Sequence, residues 1–120
     1  MPILEVRVVG DVSVDVARGL ARRIADAAAG VLGSPPRGTW VTVEAIPEDD
    51  YAENGGVAAG VEPVLVRVLL RDGPPAEGLE AQAEALTRAI AGCCGRPADN
   101  VHIIYEPAAR GRVAFGGRLV

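Results

Sequence analysis

The chain has 120 residues, enough for one ordinary domain, and 49% of them are hydrophobic, enough for a real core. Only 3% are aromatic, so that core must be aliphatic, built from Val, Leu, Ile and Ala. The 12 basic and 16 acidic residues leave a net charge of −4, which excludes the electrostatic footprint of a protein that binds nucleic acid or an anionic membrane.

The first predicted element is the strand Ile3-Leu4-Glu5-Val6-Arg7-Val8-Val9, a short β-branched run ending at Gly10. Glu5 and Arg7 interrupt it, so it does not read as a signal peptide. No apolar run in the chain is long enough to span a bilayer. Ahead of the strand stands Pro2, directly behind the initiator methionine. Proline is a small penultimate residue, so removal of Met1 is expected. That leaves a free secondary amine at the head of a strand. An α-amino group has a reference pKa of roughly 7.7–8.0. Burial or nearby cations lower it toward neutrality, where an amine acts as a base. The plainer reading is a proline that starts an edge strand, where its missing N–H costs nothing.

A helix follows. Val16, Leu20, Ile24, Ala28 and Val31 recur at helical steps and give one apolar face. Ser13 or Asp11 suits the N-cap, and Gly33 the end. After Gly33-Ser34-Pro35 comes a second strand, Thr39 to Ile46, and then a turn-rich tail with Gly55-Gly56. The pattern then starts again. Pro63 to Leu70 is a third strand, and Val66-Arg67-Val68 repeats Val6-Arg7-Val8 at an offset of 60. Leu79, Ala83, Leu86, Ile90 and Cys94 mark a second helix, with Pro74 and Pro75 at its start and Gly95 at its end. Gly95-Arg96-Pro97 leads to a fourth strand, Val101 to Glu106, which aligns with the second at an offset of 62. A tail with Gly116-Gly117 closes the chain. Cys93 and Cys94 are neighbours and lack the spaced partners of a zinc site, which suggests a reduced, cytoplasmic protein without a bound metal.

Two β-α-β units are therefore expected, residues 1–60 and 61–120, in a single domain of α/β (α+β) class. Each helical crossover makes its two strands parallel and right-handed. Together they predict a four-stranded sheet with two helices on one face. The other face stays bare and is expected to pack against other subunits.

Met-Pro before a β-branched strand, then helix, Gly-x-Pro, strand and a Gly-Gly hairpin, all written twice, resembles the tautomerase superfamily. The most similar subgroup is the 4-oxalocrotonate tautomerase family, in a fused form. The resemblance covers essentially the whole chain. It implies a homotrimer, no cofactor, and an amino-terminal proline that moves a proton between carbon and oxygen of a small keto–enol carboxylate. Other branches use the proline in hydration-type dehalogenation or in decarboxylation of small acids. A non-catalytic oligomeric binding module on the same scaffold is the reading left if Met1 is retained.

The resemblance also implies roles for single residues. Arg71, at the end of the third strand, matches a substrate-binding arginine. Arg67 shares its parity along the strand. In Tyr51-Ala52-Glu53-Asn54-Gly55, Tyr51 aligns with an aromatic pocket wall and Glu53 with a water-activating carboxylate. Phe115 is the aromatic candidate of the second tail. Short members carry an arginine after the first strand's glycine and another early in the second strand. Here Asp11 and Pro74 stand at the first place, and Trp40 and His102 at the second. That departure argues against a dicarboxylate such as oxalocrotonate. It leaves Trp40 as a pocket wall or packing residue, and the lone His102 as a surface, interface or substrate-facing group.

Overall fold

The computed structural model describes residues 2–120. Strand β1 spans Pro2–Val9, and its burial alternates as the pleat requires: Leu4, Val6 and Val8 are buried, Glu5 and Arg7 exposed. Strand β2, Trp40–Ile46, lies parallel to β1 with Ile3 beside Trp40. Strand β3, Val64–Leu70, runs antiparallel to β1, with Pro2 opposite Leu70 and Val6 opposite Val66. Strand β4, Val101–Tyr105, is parallel to β3. The four-stranded sheet has the order β2-β1-β3-β4.

The register corrects one alignment. Leu4 pairs with Val41 and Val64 with Val101, so β2 and β4 correspond at an offset of 60, not 62. The counterpart of Trp40 is Asn100, and that of His102 is Thr42. From Gly33 to Val41, the partner of Leu4, is two residues farther than from Gly95 to Val101, the partner of Val64, so aligning on Gly-x-Pro shifts the match by that amount.

The first helical stretch is broken. Helix α1 covers only Val14–Ala17, and α2 covers Leu20–Leu32. Between them Gly19 takes a φ of 66°, a left-handed turn that few other residues tolerate. The Ser13 hydroxyl accepts from the Val16 amide at 3.2 Å, so the expected cap belongs to α1. The Arg23 guanidinium donates to the carbonyls of Val16 and Arg18, which satisfies the freed end of α1. Helix α3, Leu79–Cys94, begins after Gly78 and not at Pro74–Pro75, which lie in the preceding loop.

Helices α2 and α3 lie side by side on one face of the sheet. Leu20, Ile24 and Ala28 of α2 meet Leu86, Ile90, Ala91 and Cys94 of α3 over Leu4, Val6, Val8, Val64, Val66 and Val68. Each fully buried Leu, Ile or Val contributes about 1.5–3 kcal/mol. Among the described residues no helix covers the opposite face, where Trp40 and Ile104 are 52% and 53% exposed.

The two tails differ. After β4 the chain continues along β3: the Glu106 amide donates to Val68 O, Ala109 to Leu70 O and Arg110 to Arg71 O. It then forms a hairpin, β5 (Ala114–Phe115) with β6 (Arg118–Leu119), turned by Gly116-Gly117. The first tail has no such hairpin at Gly55-Gly56. It passes from a short 3-10 turn at Glu48–Asp50 through exposed chain to β3.

Where the first tail rejoins the sheet, Gly10 has a φ of 82°, and a Cβ built on it would meet Glu62 Oε2 at 2.0 Å. Gly10→Ala is expected to cost about 1–2 kcal/mol from backbone conformation alone. The measurement is the urea midpoint, which should fall without a change in slope.

Candidate active site

Pro2 is buried at one end of the central pair of strands. Antiparallel pairing sets Leu70 opposite it, so Arg71 follows immediately past the end of β3. Parallel pairing sets Trp40, the first residue of β2, beside Ile3. The second tail closes the same end. It leaves from β4 at one edge of the sheet, passes Leu70 and Arg71 through Ala109 and Arg110, and reaches β2 at the other edge. There Phe115 meets Trp40 edge-to-face, with ring centroids 5.1 Å apart and planes at 81°. Ala109, under the strap, is fully buried. The Trp40 indole N–H donates to Arg37 O at 3.1 Å, which fixes the ring.

Charge at this end is arranged by the strap. Arg110 Nε holds Asp72 Oδ1 at 2.7 Å, and that bond draws the Asp72 carboxyl below its ordinary range. Asp72 is thereby engaged, and the Arg71 side chain has no hydrogen bond or ion pair among the described residues. A guanidinium left unpaired at the same strand end as Pro2 is suited to an anionic ligand. The expected loss of Met1 falls outside the described residues.

Arg67 lies one step away, on the uncovered face. It is tied to Glu106 at 2.8 Å and lines a depression of about 270 Å³ with Ile3, Glu5, Leu69 and Arg112. Arg112 has no motif around it in the sequence. Its Nε donates to Ala108 O at 2.9 Å and its Nη2 to Pro107 O at 3.1 Å. Nothing in its sequence context marks it, because only the path of the strap brings it there.

Tyr51, Glu53 and His102 are not at this end. Tyr51 and Glu53 follow the far end of β2, and the Tyr51 hydroxyl donates to Glu53 Oε2 at 2.5 Å. That bond raises the phenol above its usual range. His102 stands near the start of β4, beside Leu65, on the uncovered face. Within one chain Pro2, Arg71 and Trp40 stand at one end of the sheet, with Phe115 against Trp40, and Tyr51, Glu53 and His102 stand elsewhere.

The opposite end of β1 and β3 holds the corresponding positions of the other repeat. There Glu62 stands for Pro2, Asp11 for Arg71 and Asn100 for Trp40. Arg96, whose side chain is only 8% exposed, fills the space. It donates to Val9 O and Glu62 O at 2.8 Å each and to Asp11 O at 3.1 Å. Glu62 is internal to the chain, so its nitrogen is an amide and has no basic lone pair. Burial raises both neighbouring thiols, Cys93 and Cys94, above their ordinary range, so neither is a ready nucleophile.

No family model and no curated protein sequence matches the chain. Solved structures do. A fused 4-OT, a wild-type symmetric trimer, superposes with a TM-score of 0.79 at 20% identity, over 98% of this chain and 94% of that one. The fold is that of the tautomerase superfamily. Pt0534 inactivated by 2-oxo-3-pentynoate matches the same tautomerase fold with a TM-score of 0.79 at 18% identity, over 98% of this chain and 94% of that one. FG41 malonate semialdehyde decarboxylase inhibited by 3-bromopropiolate matches with a TM-score of 0.69 at 24% identity, over 95% and 90%. Among the described residues of this tautomerase-fold chain, no helix is long and apolar enough to cross a membrane.

Proposed function

We propose that this chain is a cofactor-independent tautomerase acting on a small keto–enol carboxylate, with the Pro2 nitrogen as general base after loss of Met1. One observation carries the reading. Pro2 is buried at the head of β1, at the strand end where Arg71, without an ion pair among the described residues, follows β3, whereas the matching end of the other repeat is filled by Arg96. In the forward step the amine takes a proton from the carbon next to the carbonyl. The C–H bond breaks, its electrons form the C=C bond, and the carbonyl oxygen becomes an oxyanion. Arg71 holds the substrate carboxylate and offsets that charge. The pyrrolidinium then returns its proton to oxygen, or to a different carbon. Trp40, Phe115 and Ala109 keep water from the amine.

The decisive test is covalent capture. 2-Oxo-3-pentynoate presents an activated alkyne to a nucleophilic amine. Nitrogen adds to the alkyne carbon, and the amine proton ends on the neighbouring carbon. Peptide mass mapping is expected to place one adduct on Pro2 in protein lacking Met1. An unmodified Pro2 peptide, or an adduct elsewhere, rejects the mechanism.

The similarity to a malonate semialdehyde decarboxylase favours a second reading, decarboxylation or hydration of a small acid with Pro2 protonated and Glu53 of a neighbouring copy directing water. The pH profile separates the two. Base catalysis rises with pH through the amine's pKa, and catalysis by the protonated amine falls.

The assembly proposed is a homotrimer packed through the uncovered sheet face, as the apolar exposure there requires a partner surface. Sedimentation at micromolar concentration should show trimers, and a stable monomer would sink this part of the reading.

A further inference from the structure

The turn that leads into β2 is built around an exception. The Gly38 amide donates to Pro35 O at 2.9 Å and closes the turn Pro35-Pro36-Arg37-Gly38. Proline in second place and a positive φ in third make a type II turn, whose third place ordinarily holds glycine or asparagine. Arg37 holds it instead, with a φ of 66°, and is the one non-glycine residue with a positive φ among the described residues. An arginine where glycine fits more easily points to a use for its side chain.

Arg37 lines a depression of about 530 Å³, a size that suits a small molecule. One wall is the outward side of α2, where Ala25 and Ala29 stand beside Arg22 and Asp26. The other is the turn, with Ser34 and Thr39. Arg22 and Asp26 hold each other at 3.0 Å, so their charges cancel. The Arg37 carbonyl accepts from the Trp40 indole, but its guanidinium has no hydrogen bond or ion pair among the described residues. The walls therefore carry one uncompensated positive charge. Thr39 is only 9% exposed, and its hydroxyl oxygen is the one buried side-chain polar atom without a partner among the described residues. A buried hydroxyl left unpaired is costly, and a ligand oxygen would supply what it lacks.

We propose that this depression binds a small organic anion. Its carboxylate or phosphate lies on the Arg37 guanidinium and the hydroxyls of Ser34 and Thr39, and its short apolar body lies against the alanines of α2 and the prolines of the turn. The site stands against α2, away from the uncovered sheet face, and does not depend on the chemistry at Pro2. It does touch the mouth through one bond. Trp40 hangs from Arg37 O at 3.1 Å, so an anion that steadies the turn also steadies the ring.

Trp40 is the only tryptophan, so its fluorescence reports on the turn. The test is a fluorescence titration with inorganic phosphate and, separately, with butyrate, each against sodium chloride at matched ionic strength. A saturable change with at least one of the two probes is expected, and the tighter probe names the head group. Arg37→Gly should weaken binding by about tenfold, the loss of one charge-assisted contact, while the turn stays folded by circular dichroism and urea midpoint. Thr39→Val keeps the shape and removes the hydroxyl, and should weaken binding several-fold. Arg71→Ala, at the mouth, should bind as wild type does. A response that sodium chloride reproduces overturns the proposal, and so does an Arg37→Gly variant that binds as tightly as wild type. Binding lost in Arg71→Ala and kept in Arg37→Gly places the anion at the mouth and overturns it as well. A Thr39→Val variant with unchanged affinity overturns the donor set.

Discussion

Protein that keeps Met1 is expected to show no measurable turnover of enol substrates such as a 2-hydroxydienoate or phenylenolpyruvate. In that form the Pro2 nitrogen is a tertiary amide whose lone pair is delocalised into the carbonyl. It can neither take a proton nor form a bond to carbon. The comparison needs two preparations with masses verified intact, one processed and one blocked. Equal rates from the two would remove Pro2 from the mechanism. Pro2→Ala is a milder change, because it keeps an amino terminus but makes it primary and more mobile. A positioned general base contributes typically 10²–10⁴-fold, so the alanine variant should lose a large part of that factor and retain a residue of activity. In the processed wild type, activity should switch on as pH rises through the amine's pKa. That pKa is expected below the ordinary α-amino value of roughly 7.7–8.0, because Arg71 and a dry pocket both disfavour the charged amine.

Arg71→Ala is expected to lower kcat/KM by about 2–4 kcal/mol of transition-state stabilisation, comparable with loss of an oxyanion donor. The side chain is exposed and makes no hydrogen bond or ion pair among the described residues, so stability should hardly move. An unchanged urea midpoint beside a large kinetic loss would separate binding from folding. An unchanged kcat/KM on an acidic enol substrate would take Arg71 out of the site. Arg71→Lys keeps the charge but not the planar fork, and should recover only part of the loss.

Much of this architecture could be read from residue patterns, because period-two burial and glycine stops are local rules. The alternation in Leu4-Glu5-Val6-Arg7-Val8 marked a strand with one buried face, and Gly33 and Gly95 ended their helices in left-handed conformations, with φ of 69° and 65°. The misreadings had tertiary causes. The apolar spacing from Val16 to Val31 continues across Gly19, so periodicity alone could not show the break. The break holds because Arg23 satisfies the carbonyls it frees. The Gly-x-Pro strings drew the alignment to an offset of 62, but backbone pairing sets the true register. At the site, Arg71 was named from the resemblance, and its position just past a strand paired with β1 comes from the backbone pairing. Its freedom from Asp72 could not be read from sequence, since that depends on Arg110 arriving from the strap. Within one chain the parallel pairing of β1 and β2 carries Tyr51 and Glu53 to the far end of the sheet from Pro2, so a site that used them would be shared between copies.

The pin made by Arg96 has a further consequence for how the two repeats diverge. A free-standing β-α-β unit must keep a usable amine at its head, since that amine is its chemistry. Once the second head is joined to the first tail, selection on that nitrogen ends and the position is released. Glu62 now occupies it, and Arg96 draws Val9, Asp11 and Glu62 into one bolted seam. On the proposed function the repeats have thus diverged, one keeping the proline head and the other serving as a joint.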